Sequence, residues 1–302
     1  MLTLRQLQYF KALATHLSFS KAAQACGITQ STLSAAIKQL EDALGAELVD
    51  RTGRVLMLTE AGEMVLARGS GLLLEAEDLV QGVQMHTLPM TGRFRFGVIP
   101  SIAPYILPGL LPRLREQYPQ LKLHLREDLS RNLMNALSEG KLDAVLMALP
   151  YNIAGYEYAE VGKDEFLLAV PSSNALSKFK TVSRDKLSGQ KLLLLEDGHC
   201  LRDHVLSAVG AKMEVHGDEV QATSMTTLVQ MVDNGFGLTL IPRLAAAAGV
   251  ANGTSLCFAA IEGRKAMRDI GVVWRKHASI EGNAMLMASF LKEILGPVLA
   301  VK

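Results

Sequence analysis

A cysteine at the start of a helix is the residue of this chain best placed for chemistry. Cys200 follows the aliphatic run 192–195 and Gly198, and a helical pattern begins with it. A thiol in the first turn of a helix faces unpaired amide N–H groups and the positive end of the helix dipole, and both favour the thiolate. His199 and Arg202 add donor or cationic groups nearby. The segment predicts a reactive sulfur, with a small buried hydrophobe as the simpler alternative.

The other two cysteines give no sign of a disulfide framework or a metal site. Cys26, Cys200 and Cys257 are widely separated, and their spacing matches no metal-binding motif. We interpret Cys26 as a packing residue. Cys257 lies in an apolar stretch typical of a strand, and its role as a partner for Cys200 stays open. We expect reduced thiols, no metal ion, no cofactor and a cytoplasmic protein.

The composition is that of an ordinary globular protein with two or three domains. The 302 residues are 49% hydrophobic and 20% charged, with a net charge of +1. This charge argues against a polycation that coats nucleic acid, but it permits a local DNA-binding face. The N-terminus has no continuous apolar signal core, and the longest uncharged stretch contains turn residues, so we expect no membrane span.

The first sixty residues predict a winged helix-turn-helix. Ser18 and Thr29 are suited to cap a second and a third helix, with Gly27 in the turn between them. Apolar residues recur in the third helix at helical spacing (Leu33, Ile37, Leu40 and Leu44), which predicts a buried stripe. Two short strands around a basic turn at residues 48–58 then suggest a wing.

The opposite face of the third helix and the wing carry the expected DNA contacts. Small polar side chains at the start of a recognition helix can lie deep in a major groove, and arginines on a wing can meet phosphates. These residues are Gln30, Ser31, Thr32, Ser34, Lys38, Arg51 and Arg54. After Thr59 a long helix continues to about residue 84. Its surplus of apolar side chains predicts a dimerisation helix.

Residues 1–87 resemble the DNA-binding domain and linker helix of the LysR-type transcriptional regulators. The match is carried by LRQLQYF at residues 4–10, TQSTLS at 29–34, IKQLE at 37–41 and LTEAG at 58–62. From residue 93 onward, strand-like runs alternate with helical ones, which favours parallel strands covered on both faces. This part is similar to the two-lobed α/β sensor domain of the same regulators, which itself resembles periplasmic binding proteins. We expect boundaries at 1–58, 59–90 and 91–302.

Within this family, the segment LEDGHCLRD at residues 195–203 resembles the peroxide-sensing OxyR group. The resemblance implies that Cys200 attacks hydrogen peroxide and becomes sulfenic acid, aided by His199. It further implies ligand-binding roles for Ser101, Ser130, Gly198, Asp203 and Arg275. For each, a structural role is the alternative: helix caps for the two serines, a backbone hydrogen bond for His199, and an ion pair between Asp203 and Arg275.

One position departs from the OxyR pattern. The group carries a second, resolving cysteine nine positions after the first, and here that residue is Val209. The usual disulfide is therefore closed to this chain. Four routes stay open: a switch driven by the sulfenic acid itself, capping by a small thiol, resolution by Cys257, or a variant selected to block the disulfide.

The resemblance implies a DNA-binding transcription factor of the oxidative-stress response, with hydrogen peroxide as its signal. It implies paired DNA half-sites, a homodimer or homotetramer, and contact with RNA polymerase, while activation and repression stay open. A regulator that binds a small anionic metabolite at Ser101, Ser130 and Arg275, with an inert Cys200, is the main alternative. A cysteine peroxidase is a more distant one, and we do not expect an enzyme.

Overall fold

The computed structural model describes residues 2–51, 55–85, 89–209, 214–215, 222–262, 266–276 and 278–299. The chain divides into two compact units, Met1–Gln84 and Met85–Lys302. The first unit joins the predicted DNA-binding domain to the predicted linker helix. The second corresponds to the predicted sensor domain.

The first unit is a helix-turn-helix followed by a two-stranded wing and a long helix. Its elements are α1 (Leu4–His16), α2 (Phe19–Ala25), α3 (Gln30–Leu44), β1 (Val49–Asp50), β2 (Met57–Leu58) and α4 (Glu60–Met85). Ser18 caps α2 and Thr29 caps α3, each accepting a hydrogen bond from a backbone N–H of the first turn. The sequence predicted both caps, and both are confirmed.

The buried stripe of α3 is one residue shorter than predicted. Leu33, Ile37 and Leu40 are fully buried, whereas Leu44 is 41% exposed. Leu44 is the last residue of the helix, because Gly45 turns the chain away at a φ of +67°. The final position of the apolar pattern therefore lies beyond the core.

The second unit alternates strands and helices, as the sequence predicted. Its first half contains β3 (Gly92–Val98), α5 (Ala103–Gln117), β4 (Leu121–Glu127), α6 (Ser130–Ser138), β5 (Ala144–Leu149), β6 (Tyr156–Pro171), β7 (Thr181–Val182) and β8 (Lys191–Leu192). Its second half contains α7 (Cys200–Val209), β9 (Glu214–Val215), α8 (Met225–Asp233), β10 (Thr239–Pro242), α9 (Arg243–Ala247), β11 (Leu256–Ile261), β12 (Met267–Arg275) and α10 (Glu281–Leu299). Two short 3₁₀ helices, Ala175–Lys178 and Arg184–Leu187, flank β7.

The main sheet of the described residues is mixed, not wholly parallel as expected. It runs in the order β4-β3-β5-β12-β6-β11-β7, and β10 also pairs with β6. β3 pairs in parallel with β4 and β5, but β12 is antiparallel to both β5 and β6. The two strands predicted near 157–161 and 166–170 are one continuous strand, β6. It crosses with β12 from one lobe to the other.

Two hydrophobic cores divide the second unit into lobes. The first core contains residues of β3, α5, α6, β5 and α10, and we call this part lobe 1. The second core contains the 166–170 half of β6 together with residues of α7, α8, β10 and β11, and we call this part lobe 2. No helix within the described ranges is both long and apolar enough to cross a membrane.

Candidate functional site

Cys200 is the first residue of α7 and is buried between the lobes. Its side chain is 9% exposed and packs in the core of lobe 1. Leu201 and Val205 of the same helix pack instead in the core of lobe 2. A change in the size or polarity of Cys200 therefore acts on the contact of α7 with lobe 1.

Burial raises the pKa of the Cys200 thiol, and this corrects the expectation of a thiolate at the helix start. The Ser130 hydroxyl and the charge of Arg268 act in the opposite direction, while the carboxylate of Asp203 adds to the rise. Burial of a charged group can shift a pKa by about 3–5 units, or about 4–7 kcal/mol. A helix dipole supplies only about 0.3–2 kcal/mol. Burial therefore outweighs the dipole here.

Ser130 places a buried hydroxyl beside this thiol. It is the first residue of α6, whose N-cap is Leu129, so Ser130 is not the cap of its helix. The side chain is 2% exposed, and its Oγ has no hydrogen bond of normal geometry to any described residue. The hydroxyl nevertheless lies near enough to Cys200 to lower the pKa of its thiol. A buried polar atom without a partner is one that a small polar ligand can satisfy.

Arg268, which sequence reasoning missed, holds Ser101 in place. This arginine of β12 lies opposite Asp164 of β6, and both side chains are fully buried. Its Nε and Nη2 donate to Oδ2 of Asp164 at 3.1 and 3.0 Å. Its Nη1 donates to Ser101 Oγ at 2.7 Å, and Nη2 donates to Ser101 O at 3.1 Å. Oδ1 of Asp164 accepts from the backbone N–H of Leu244 in α9 at 3.0 Å.

Arg275, the arginine chosen from the sequence, lies elsewhere. Its Nη1 donates to the carbonyl oxygens of Leu137 and Leu142 at 2.9 and 3.0 Å, at the C-terminal end of α6. It is seven positions further along β12 than Arg268, a distance of about 23 Å in an extended strand. The structure therefore brings Arg268, and not Arg275, to Ser101.

The residues on either side of Cys200 have distinct environments. His199 is 7% exposed, and burial lowers the pKa of its imidazole, so it is neutral at pH 7 and adds no cationic charge. Gly198 has a φ of +98°, and a Cβ there would lie 3.3 Å from Leu129 Cδ1, which accounts for glycine at this position. Asp203 is exposed in the first turn of α7.

A cavity of about 260 Å³ opens beside His199 and Ser101. The starts of α5 and α8 contribute Tyr105 and Ser224 to its wall, and Glu127 closes another side. Burial raises the pKa of Tyr105 to about 12, so its phenol stays protonated. The cavity is large enough to hold water or peroxide next to Ser101.

Cys257 is distant from this site. It pairs with Val170 of β6, while the Asp164–Arg268 pair lies six residues back along the same strand. Six residues of strand span about 20 Å. Because the charge of Arg268 acts on Cys200, Cys200 lies near that end of the span. A disulfide needs Cα atoms within about 7 Å, so this placement disfavours Cys257 as the resolver.

The predicted DNA-contacting residues lie on one exposed surface of α3 and on the wing. Gln30, Ser31, Thr32 and Lys38 are exposed, and Ser34 is half-buried. Arg51 is 45% exposed and forms an ion pair of 2.8 Å with Glu41. Arg54 lies outside the described residues. Within the described ranges, no three His, Cys, Asp or Glu side chains are grouped to hold a metal ion.

Two protein-family models match the chain. The helix-turn-helix model of the lysR family of bacterial regulatory proteins matches residues 4–63, and the LysR substrate binding domain model matches residues 89–295. Together they cover both units of the structure.

Relatives of known name agree with these models. The HTH-type transcriptional regulator EstR of Acinetobacter baylyi is 40% identical over 243 residues, which are 80% of each chain. A hydrogen peroxide-inducible genes activator of Dickeya chrysanthemi is 33% identical over 296 residues, covering 97% of this chain and 95% of that one. An H₂O₂-bound mutant of OxyR from Corynebacterium glutamicum has a TM-score of 0.67 and 30% identity, and the match covers 98% of this chain and 94% of the other. The chain thus belongs to the LysR family of transcriptional regulators and is similar within it to the OxyR proteins.

Proposed function

We propose that this chain is a DNA-binding transcriptional regulator that senses hydrogen peroxide through Cys200. The observation that carries the proposal is the thiol of Cys200 on a helix of lobe 2, buried in the core of lobe 1 beside the unpartnered hydroxyl of Ser130. The relatives named for peroxide induction and the OxyR structure with bound H₂O₂ support the choice of oxidant.

The reaction needs one oxidant and no cofactor. Sγ of Cys200 attacks one oxygen of H₂O₂, the O–O bond breaks, and the thiol becomes sulfenic acid while the other oxygen leaves as water. The hydroxyl of Ser130 lies beside the thiol and can bind the peroxide there, and Ser101 is held in place by Arg268. The charge of Arg268 favours the thiolate that attacks.

The switch follows from the position of α7 between two cores. An oxygen added to Cys200 enlarges a buried side chain and makes it polar, so it no longer fits the core of lobe 1. Because Val209 replaces a resolving cysteine, the sulfenic acid itself, or a small thiol bonded to it, displaces α7. The displacement then alters how the DNA-binding units of a dimer or tetramer meet paired half-sites and RNA polymerase in the cytoplasm.

The metabolite-binding alternative has less support. It required Arg275 to face an anion together with Ser101 and Ser130, and Arg275 is instead bonded to two carbonyl oxygens of lobe 1. The cavity beside Ser101 is lined by Glu127, whose carboxylate repels anions. The positive charge of Arg268 is already paired with Asp164.

A footprint on the regulator's own promoter tests the proposal. We expect the reduced and the peroxide-treated chain to protect different lengths of DNA, and we expect Cys200→Ser to keep the reduced pattern after treatment. The Cys257→Ser variant is the matched control and should respond like the original chain. Identical footprints before and after peroxide would refute the proposal.

A further inference from the structure

His204 is a half-buried histidine to which the reaction above assigns no role. It lies in the second turn of α7, and its Nε2 is 3.3 Å from the carbonyl oxygen of Pro150. A carbonyl oxygen can only accept a hydrogen bond, so Nε2 carries the proton and donates it. Nδ1 is therefore the unprotonated nitrogen of the neutral ring. It is fully buried, and no described residue forms a hydrogen bond with it.

His204 and Cys200 lie on the same face of α7. Residues four apart in an α-helix share a face, with Cβ atoms about 5–6 Å apart, and helical side chains lean toward the N-terminus. His204 is four residues after Cys200 in α7. Its ring thus leans toward the turn that holds the thiol.

Two electrostatic effects place both side chains in the same surroundings. The charge of Arg268 lowers the pKa of Cys200 and also that of His204. The phenol of Tyr151, next to Pro150 in the chain, has a pKa raised mainly by burial and further by the charge of Cys200. The segment 150–151, which accepts the hydrogen bond from His204, therefore also lies near Cys200.

We infer that His204 accepts the thiol proton of Cys200 when peroxide reacts, an inference that rests on the function proposed above. A buried thiol whose proton is held more firmly than usual needs a base, and Nδ1 of His204 is a base that no described residue engages in a hydrogen bond. The hydrogen bond to Pro150 holds the ring in the tautomer that can accept a proton, directly or through one water.

The proton balance is complete with peroxide as the only co-reactant. The thiol proton moves to Nδ1 of His204, and the thiolate attacks one oxygen of H₂O₂. The sulfur is oxidised, the O–O bond breaks, and the leaving hydroxide takes the proton back from Nδ1 to become water. His204 ends neutral, ready for another reduced thiol.

The charged groups around His204 set its pH dependence. Burial lowers the pKa of its imidazole below the usual 6.5, Arg268 of β12 lowers it further, and the Pro150 carbonyl and Asp203 of α7 raise it. On the acid side of that lowered pKa, Nδ1 is protonated and cannot accept a proton. We therefore expect oxidation to be fast at neutral pH and to slow only in acid, below the usual imidazole range.

Replacing His204 with glutamine removes the basic nitrogen but keeps a hydrogen-bond donor. The side-chain amide of His204→Gln can still donate to Pro150 O, but it has no basic nitrogen. The rate of sulfenic acid formation at Cys200 is measured in the full chain with a sulfenic-acid trap between about pH 5 and pH 9. We expect His204→Gln to lower the rate at neutral pH by about 10²-fold, and to show a rate that rises with pH as the thiol itself ionises. His124→Gln, at an exposed histidine of β4, should leave the rate unchanged.

Two results would overturn the inference while leaving the proposed function intact. One is a His204→Gln variant that reacts at the rate and with the pH profile of the original chain. The other is a normal His204→Gln beside a slow His204→Ala, which would assign the residue to anchoring α7 alone. A wild-type chain that forms no sulfenic acid at Cys200 would instead overturn the proposed function itself. Denaturant unfolding of each variant verifies that it is folded.

Discussion

The N-terminal ends of helices α3 and α7 both carry candidate functional side chains, but one end is exposed and the other is buried. At α3, Thr29 caps the helix and leaves Ser31 and Thr32 exposed. At α7, Cys200 is 9% exposed and is surrounded by groups from α6 and β12. The helix dipole is positive at both ends, but only the start of α3 exposes its polar side chains to a binding partner.

The difference shows that burial, not helix position, sets the chemistry of Cys200. An exposed helix start gains about 0.3–1 kcal/mol from the dipole for a negative charge. A buried start loses several times that amount when the charge leaves water. The sensor site therefore depends on side chains that are distant in sequence but near in space, such as Arg268 and Ser130, to make the sulfur reactive.

Breaking the buried ion pair between Arg268 and Asp164 should have the largest effect on stability. Arg268→Met leaves Asp164 charged and unpaired at a fully buried position. We expect a loss of about 3–5 kcal/mol in the free energy of unfolding, measured with urea on the full chain. Lys163→Met is the matched control on the same two strands, because its ion pair with Asp269 is exposed. Equal losses in the two variants would contradict the structural role of Arg268.

A smaller effect is expected at the glycine before His199. Gly198→Ala combines a positive φ with a contact of 3.3 Å between the new Cβ and Leu129. Gly155→Ala has a positive φ of +85° and no atom within 4 Å, so it isolates the backbone cost of about 1–2 kcal/mol. Thermal unfolding should rank Gly198→Ala below Gly155→Ala. The reverse order would show that Leu129 does not confine this turn.

At the other helix start, the cap of α3 should contribute about 1 kcal/mol. The Oγ1 atom of Thr29 accepts from the backbone N–H of Thr32 at 3.2 Å. Thr29→Ala removes this acceptor, whereas Thr29→Ser keeps it. We expect only the alanine variant to lower the stability of the first unit in denaturant unfolding. An unchanged Thr29→Ala would mean that the cap adds nothing to α3.

The smallest effect is expected on the DNA side. Lys38 is exposed on α3, and a lysine that contacts one phosphate adds about one unit to the salt dependence of binding. Lys38→Ala should therefore lower the slope of log affinity against log salt concentration by about one. Lys122→Ala, at an exposed position of β4, is the control and should keep the slope. A slope unchanged in both variants would remove Lys38 from the DNA interface.

The parts that the sequence predicted are those built from neighbouring residues. Ser18 and Thr29 each cap a helix through a backbone N–H three residues away, so their role can be seen locally. Arg268 was missed because its partners Asp164 and Ser101 are 104 and 167 residues away in the chain. Asp164 lies between Lys163 and Glu165, and Arg268 precedes Asp269, so no local pattern marked either residue as buried.

The raised pKa of Cys200 also could not be predicted from its neighbours in the chain. The helix start at residue 200 was predicted correctly, but the burial that raises the pKa of its thiol comes from lobe 1, which packs against it from distant parts of the chain. His204 had a local signal, its spacing of four residues from Cys200, but its buried Nδ1 depends on the packing around Pro150.

The relative reactivity of the three cysteines tests the central claim most directly. The reduced full chain is treated with a limiting amount of H₂O₂ in the presence of a sulfenic-acid trap, and labelling is followed by mass spectrometry at Cys26, Cys200 and Cys257. We predict that Cys200 is labelled at least about ten times faster than either of the others, although it is the buried one. Labelling of Cys200 at or below the rate of Cys26 and Cys257 would contradict the account.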